Sequence, residues 1–345
     1  MMVRRQTIEH SCITGMNTTG PTMKFADMVQ RLLSQLPMPG KNTSRKKMLN
    51  ELKEFVKDNP KLVRMNKTSN PNLFVLKYAR SVFYDDTWNE FLEECRGTVV
   101  DKDFNLVSYP FTKIYNFGIE ERAPKWSDDE FVAYLRKVNG FMVACTWYNG
   151  DLLWSTTGSI DSDFIGYAKE IFNGFTEQQR ENFRGILQRS PSFTFMFECV
   201  HPLDPHIIPE ESGLYLLGCR EKILGSEIIY TPIHQVWEDA GVCTIPVEYG
   251  TVKDVIDQTR NCTHEGFVMY DQDNVATKIK SPFYLMNKLF ARGNTDRLLN
   301  GKAKQILDEE FYGLIDHIAE HRDVFVAMSE QERLVFTRTY LEGIL

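Results

Sequence analysis

The chain has 345 residues, 42% hydrophobic and 12% aromatic, enough to bury a large core and to divide into two or three domains. Its formal charge of -7 offers no overall attraction for nucleic acid, although a local basic groove is compatible with an acidic total. Seven scattered cysteines without a C-x-x-C pair argue against a disulfide framework or a structural zinc site. With no apolar run of about 18 residues and no secretory pattern, no membrane segment and a cytoplasmic location are expected.

Residues 1–22 are polar and aperiodic and read as a mobile leader, with Met23 as an alternative start. A helical segment is expected over 23–71, because "MKFADMVQRLLSQL" and "SRKKMLNELKEFVKDN" carry apolar residues at helical spacing and are separated by "PMPGKNTS". From "NLFVLKYARSVF" to "VATKIK" strands dominate, with Asp and Asn turns, and helices are expected near 162–188 and 232–258. Within this stretch "DDEFVAYLRK" has helical spacing. It is followed by "FMVACTWY", an Asn-Gly turn and "LLWSTT", which read as a β-hairpin with Lys137 at its head. After Pro282 the pattern is helical again. The layout is α+β: a helical preface, a central domain over 72–281, and an all-helical tail over 282–345.

Lys137 stands in "KVNG". A lone K-x-x-G is weak, since about one match is expected by chance in a chain of this size, and a second, "KILG", begins at Lys222. Apolar residues fill the middle of that copy, so Lys222 reads as a surface residue. The accompanying segments carry more weight. "FTFMFE" ends on Glu198, "LYLLGCRE" follows, "HEGFVMY" brings Glu265, and "ATKIK" brings Lys278 and Lys280 to one strand face. One lysine nucleophile, two carboxylates and two further lysines suit phosphoryl transfer to an amine. A free lysine, with a pKa of about 10.4, must lose its proton before attacking the α-phosphorus of ATP, and neighbouring cations would favour that loss. The carboxylates offer hard oxygens to Mg²⁺ or Mn²⁺, or acceptors to ribose hydroxyls.

The order K-x-[DN]-G, strand-ending Glu, Glu-Gly, Lys-x-Lys resembles the covalent nucleotidyltransferases, the ligases and mRNA capping enzymes. "FVLKYARSVF…LEECRGTVV…YPFTKIYNFG" further resembles the lead-in of the phage tRNA-repair RNA ligases, the "RNA ligase 1" family. The resemblance spans roughly 72–290 and is specific in its combination. It implies a nucleotidyltransferase domain of ATP-grasp-like antiparallel sheets, ATP and a divalent metal as cofactors, and Lys137 as the adenylated residue. It implies ATP contacts from Arg96, Lys113, Tyr115, Asn139, Gly140, Glu198, Lys278 and Lys280, and metal binding by Glu265 and Glu198. In "STTGSI", Thr157 stands where the family would carry a lysine.

The expected activity is ATP-dependent joining of RNA 5′-phosphate and 3′-hydroxyl ends, with nicked tRNA as a candidate substrate and a monomer as the working form. A DNA ligase or guanylyltransferase of the same superfamily, and a non-catalytic RNA-binding relative, are the alternatives. The tail argues against the first pair, which follow Lys-x-Lys with a β-rich domain. The intact lysines argue against the last. No P-loop is present to heal RNA ends. Every residue needed for adenylation precedes residue 282, so the tail is expected to serve RNA and to stand outside the ATP pocket. The bland alternatives are a solvated Lys137, an Arg96 paired with Glu93 or Glu94, an edge-strand Lys113, and structural His201 and His206 beside Cys199.

Overall fold

Between residues 63 and 280 the sequence returns repeatedly to short β-branched and aromatic runs broken by Asn, Asp and Gly, and most of these runs form strands. The computed structural model describes residues 45–204, 206–222, 227–228, 234–291 and 295–344. The expected leader and the first expected helix lie outside these residues. Helix α1 (Arg45–Asp58) precedes β1 (Val63–Lys67), β2 (Leu73–Tyr78), α2 (Ser81–Tyr84), α3 (Glu90–Glu94), β3 (Arg96–Asp101), β4 (Leu106–Ser108) and β5 (Tyr115–Asn116). Next come β6 (Phe131–Arg136), β7 (Phe141–Tyr148), β8 (Asp151–Ser155), α4 (Asp163–Asn173), α5 (Glu177–Arg189), β9 (Phe193–Val200), β10 (Gly213–Glu221) and β11 (Glu227–Ile228). Then follow α6 (His234–Glu238), β12 (Val247–Thr251), α7 (Val252–Asn261), β13 (Gly266–Tyr270) and β14 (Ala276–Lys280). The tail holds α8 (Pro282–Ala291), a 3-10 turn (Thr295–Leu299), α9 (Ala303–Ile306), a second 3-10 turn (Glu309–Phe311), α10 (Tyr312–Glu320), α11 (Arg322–Ala327) and α12 (Glu330–Gly343).

Strands β1 to β4 form one sheet, and two five-stranded sheets follow, ordered β11-β10-β9-β7-β8 and β12-β6-β13-β14-β5. Pairing within the sheets is antiparallel, except that β14 runs parallel to β5. The five-stranded sheets face each other across a core of Leu135, Tyr270, Ala144, Met196 and Tyr215. Helices α4, α5 and α6 cover the outer face of one, packing Phe172, Phe183 and Trp237 on Phe197, and α7 covers the other through Val252 and Val255. The tail builds its own core from Leu285, Leu289, Phe311, Leu314 and Phe325.

The Asn-Gly hairpin forms as expected: Tyr148 pairs with Asp151, and Asn149 and Gly150 take the positive φ values, 51° and 87°, of a two-residue turn. Three expectations fail. The segment expected to be helical over 23–71 is helical only as far as Asp58 among its described residues, because Val63–Lys67 pairs with β2 as a strand. "DDEFVAYLRK" is not helical, because 131–136 is a central strand paired with both β12 and β13, and its burial alternates at Phe131, Val132 and Ala133. Its apolar residues fit both periods, and the two neighbouring strands decide. The helix expected over 232–258 is divided, because the first helix ends at Glu238, ahead of a turn in which Gly241 takes φ +80°, and "VEYGT" pairs with β6 as an edge strand.

Candidate active site

Strand β6 belongs to one five-stranded sheet and β7 to the other, so the connecting segment 137–140 crosses between them. Lys137 donates its backbone N–H to Gly266 O (2.8 Å), which anchors it beside the start of β13. Two glycines allow this crossing. A Cβ on Gly140 would lie 2.4 Å from Cys199 O, and one on Gly266, whose φ is +133°, would lie 2.0 Å from Ile279 O. Both positions therefore require backbone contact closer than any side chain permits, and each adjoins a residue of the site.

Lys137 Nζ lies 3.1 Å from Glu265 Oε2, and Asn139 Nδ2 donates to the same oxygen (2.8 Å). Gly140 N donates to Glu198 Oε1 (3.1 Å), and Lys280 Nζ lies 3.9 Å from Glu265 Oε1. Asn139 is fixed from its other side by Ile208 N, which donates to its Oδ1 (3.0 Å). Lys278 and Lys280 alternate with buried Thr277 and Ile279, so they share a face of β14. The structure thus brings Lys137, Asn139, Gly140, Glu198, Glu265 and Lys280 into one cluster of contacts, with Lys278 on the same strand face as Lys280.

The electrostatics differ from the expectation that cations hold Lys137 deprotonated. Burial lowers its pKa, but Glu265 and Glu198 outweigh burial and hold the ammonium above its ordinary value. Burial lifts the Glu198 carboxyl, against the pull of Lys137. Glu265 is lowered, since Lys137, Lys280 and Asn139 overcome its burial. Burial together with Lys280 and Lys113 takes Lys278 down to about 7, whereas Glu310 and Glu265 hold Lys280 well above the ordinary lysine value against its burial.

Arg96 does not pair with Glu93 or Glu94. Glu94 is held by Arg220 (2.5 and 2.8 Å) and Glu93 by Arg122 (3.0 Å), while Arg96 Nη1 faces Met142 Sδ (3.7 Å) and its charge acts on Glu198. Lys113 is no edge-strand lysine. It is buried, 2.9 Å from Glu120, with its ammonium 4.6–4.9 Å from the ring centres of Tyr115, Phe83 and Trp88. Tyr115 packs beneath Lys113 and donates its hydroxyl to Glu93 (2.8 Å), so it is placed to support Lys113 from the core. Lys222 is not a free surface lysine: it is partly buried, its Nζ donates to Thr146 Oγ1 (3.0 Å), and burial lowers its pKa to about 8. His201 stacks on Tyr167 and meets Glu170 (3.3 Å), and His206 meets Asp204 (3.7 Å). Among the described residues the one cluster with metal-ligand spacing is His317, Glu320 and His321 in the tail.

Sequence reasoning missed the tail's share of this cleft. Glu310 Oε1 lies 2.8 Å from Lys280 and also contacts Lys288, Asp308 lies 2.7 Å from Lys288, and Glu309 lies 3.4 Å from Lys113. The tail therefore does reach the lysine pocket, contrary to expectation. The acidic run "DEE" was visible, but no spacing rule ties it to lysines so far away in the chain.

No protein-family model matches the sequence, and no curated protein matches it. Among solved structures, an archaeal ATP-dependent RNA ligase in two forms is similar. One form has a TM-score of 0.56 and 13% identity, covering 91% of this chain and 78% of that one. The other has a TM-score of 0.52 and 14% identity, covering 84% and 75%. A putative ATP-dependent DNA ligase from Aquifex aeolicus is similar at a TM-score of 0.50 and 16% identity, covering 85% and 77%. The chain shares the fold of these ATP-dependent ligases. Among the described residues no helix is long and apolar enough to cross a membrane.

Proposed function

We propose that the chain is an ATP-dependent RNA ligase acting in RNA repair, with Lys137 as its adenylated nucleophile. The observation that carries this reading is the convergence of Lys137, Glu265, Glu198 and Lys280 in one largely buried charge cluster of a ligase-like fold. Lys137 Nζ would bond to the α-phosphorus of ATP as the bond to the bridging oxygen breaks and pyrophosphate leaves. Lys280 and Lys278 face the same side and would balance phosphate charge. Arg96 and Lys113 would extend that field. AMP would then pass to an RNA 5′-phosphate, and a 3′-hydroxyl would displace it to seal the strand.

Lys137 starts as an ammonium and must give up its proton, which water can take because the side chain is 22% exposed. Glu265 and Glu198 hold that proton in place, so whatever engages these carboxylates lowers the lysine's pKa. Their chemistry fits a hard divalent cation: two buried carboxylates meet there, and Glu198 is lifted by a burial that Lys137 only partly offsets. Bound Mg²⁺ or Mn²⁺ would neutralise phosphate charge and compete with Lys137 for Glu265 and Glu198.

The helical tail supports RNA over DNA: among the described residues no strand follows Lys280, whereas the resemblance implies a β-rich domain there for a DNA ligase. Incubation with ATP labelled at the α-phosphate should leave acid-labile, alkali-stable label on Lys137. Lys137→Ala should abolish the label yet still seal pre-adenylated RNA. Parallel reactions on a nicked tRNA anticodon loop, a splinted RNA nick and a nicked DNA duplex separate the substrates. Label on Lys222, or label persisting in Lys137→Ala, would overturn the assignment.

A further inference from the structure

Lys288 on α8 has no role in the reading above, yet it is one of the most buried cations of the molecule, 6% exposed. A buried ammonium needs counter-charge, and this one receives Glu310 and Asp308. Glu310 Oε1 is shared: the same oxygen accepts from Lys280 and from Lys288. The result is a row of alternating charge, Lys137, Glu265, Lys280, Glu310, Lys288, Asp308, each in contact with the next. Its first three members belong to the adenylation site, and its last three come from the tail. Glu309 closes on Lys113 in the same way.

One anionic oxygen bridging two ammonium groups is the arrangement a phosphate oxygen makes between two lysines. We propose that Lys288 is a further phosphate-binding lysine of this pocket, and that Glu310, with Asp308 and Glu309, holds the positions that phosphate oxygens of ATP take over. The proposal rests on the nucleotidyl-transfer reading. An ion network serving only to tie down the tail would gain little over apolar packing, and Leu307 and Phe311, which flank the acidic run, already provide that packing. Exchange of carboxylate for phosphate preserves the row's alternation, so binding leaves no lysine buried without a partner.

The experiment compares wild type with Lys288→Met, Lys288→Arg, Glu310→Gln and the Lys288→Met/Glu310→Gln double variant. ATP dependence of adenylation and sealing of pre-adenylated RNA are measured. Thermal stabilisation by inorganic tripolyphosphate without metal is measured alongside. Lys288→Met should raise KM for ATP roughly tenfold, the loss of one charge-assisted bond, and Lys288→Arg should recover part of it. Glu310→Gln should lower KM severalfold and enlarge the tripolyphosphate shift. The double variant, whose buried charge is balanced, should bind ATP and tripolyphosphate more weakly than Glu310→Gln. If the two bind equally, Lys288 serves only Glu310 and the proposal fails. Sealing of pre-adenylated RNA, which needs no ATP, should fall less than ATP-dependent adenylation in the Lys288→Met variant. If wild type forms no adenylate at all, the ligase reading fails, and the tripolyphosphate comparison still decides the role of Lys288.

Discussion

Glu265→Gln tests the centre of the site, because it keeps the shape of the side chain and removes only its charge. Glu265 is 3% exposed, and its oxygens meet Lys137 (3.1 Å), Asn139 (2.8 Å) and Lys280 (3.9 Å). Removing one partner of a buried ion pair costs about 3–5 kcal/mol, because the other charge stays behind. Here the lower end applies. The Lys137 side chain is 22% exposed and can reach water, and Lys280 keeps Glu310. A loss of about 3 kcal/mol, at about 2 °C per kcal/mol for a large chain, lowers Tm by roughly 6 °C. The chemical loss should be larger. With Lys137 no longer tethered and one carboxylate gone from the pair fitted to metal, adenylation should fall by about a hundredfold or more. Calorimetry without metal reads the first effect, and single-turnover labelling with α-labelled ATP reads the second. A variant that melts with wild type and adenylates within about threefold of it would refute the geometry assigned to Glu265.

Lys278 supplies a pH test: its pKa of about 7 in the fold lies below the ordinary 10.5, so the native state binds fewer protons than the unfolded chain between those values. Its destabilisation is therefore full below about pH 7 and disappears above about pH 10.5, and Lys278→Met should melt higher than wild type at pH 6, with the difference shrinking as pH rises. A constant difference across that range would contradict the burial assigned to it. Arg220→Met strands buried Glu94 and should cost about 3–5 kcal/mol by urea midpoint, while a double change with Glu94→Leu should recover most of it. A single-variant loss under about 1 kcal/mol would show that the pair is not buried as described. Gly266→Ala places a methyl 2.0 Å from Ile279 O at φ +133° and should both destabilise the fold and impair adenylation by displacing Glu265. Wild-type behaviour in both assays would place the strand crossing elsewhere.

The strands were legible where one face is buried and the turn chemistry is explicit, as in the β7–β8 hairpin, whose Asn149-Gly150 turn and register both follow from residue types. Legibility ended where an apolar run fits two periods. "EFVAYLR" satisfies helical spacing, and only its neighbours β12 and β13, more than a hundred residues on, make it a strand. Local pattern carries no information about such partners.

The site divides along the same line. Lys137, Glu198, Glu265, Lys278 and Lys280 could be proposed together because each lies on or beside a strand and their order along the chain resembles that of the nucleotidyltransferases, and the structure brings Lys137, Glu265 and Lys280 into contact. The sign of the Lys137 shift could not be reached that way. It depends on two carboxylates outweighing burial, a balance set by distances and not by order along the chain. The tail carboxylates were further out of reach, since "DEE" before a helix is ordinarily a solvated first turn at a helix N-terminus. What makes Glu310 different is its 3% exposure, forced by Phe311 inserting into the tail core beside it. Burying the aromatic carries the carboxylate down onto Lys280 and Lys288. The packing of one apolar residue thereby sets which carboxylates stand against the lysines, the ones that on the proposed reading a triphosphate would displace.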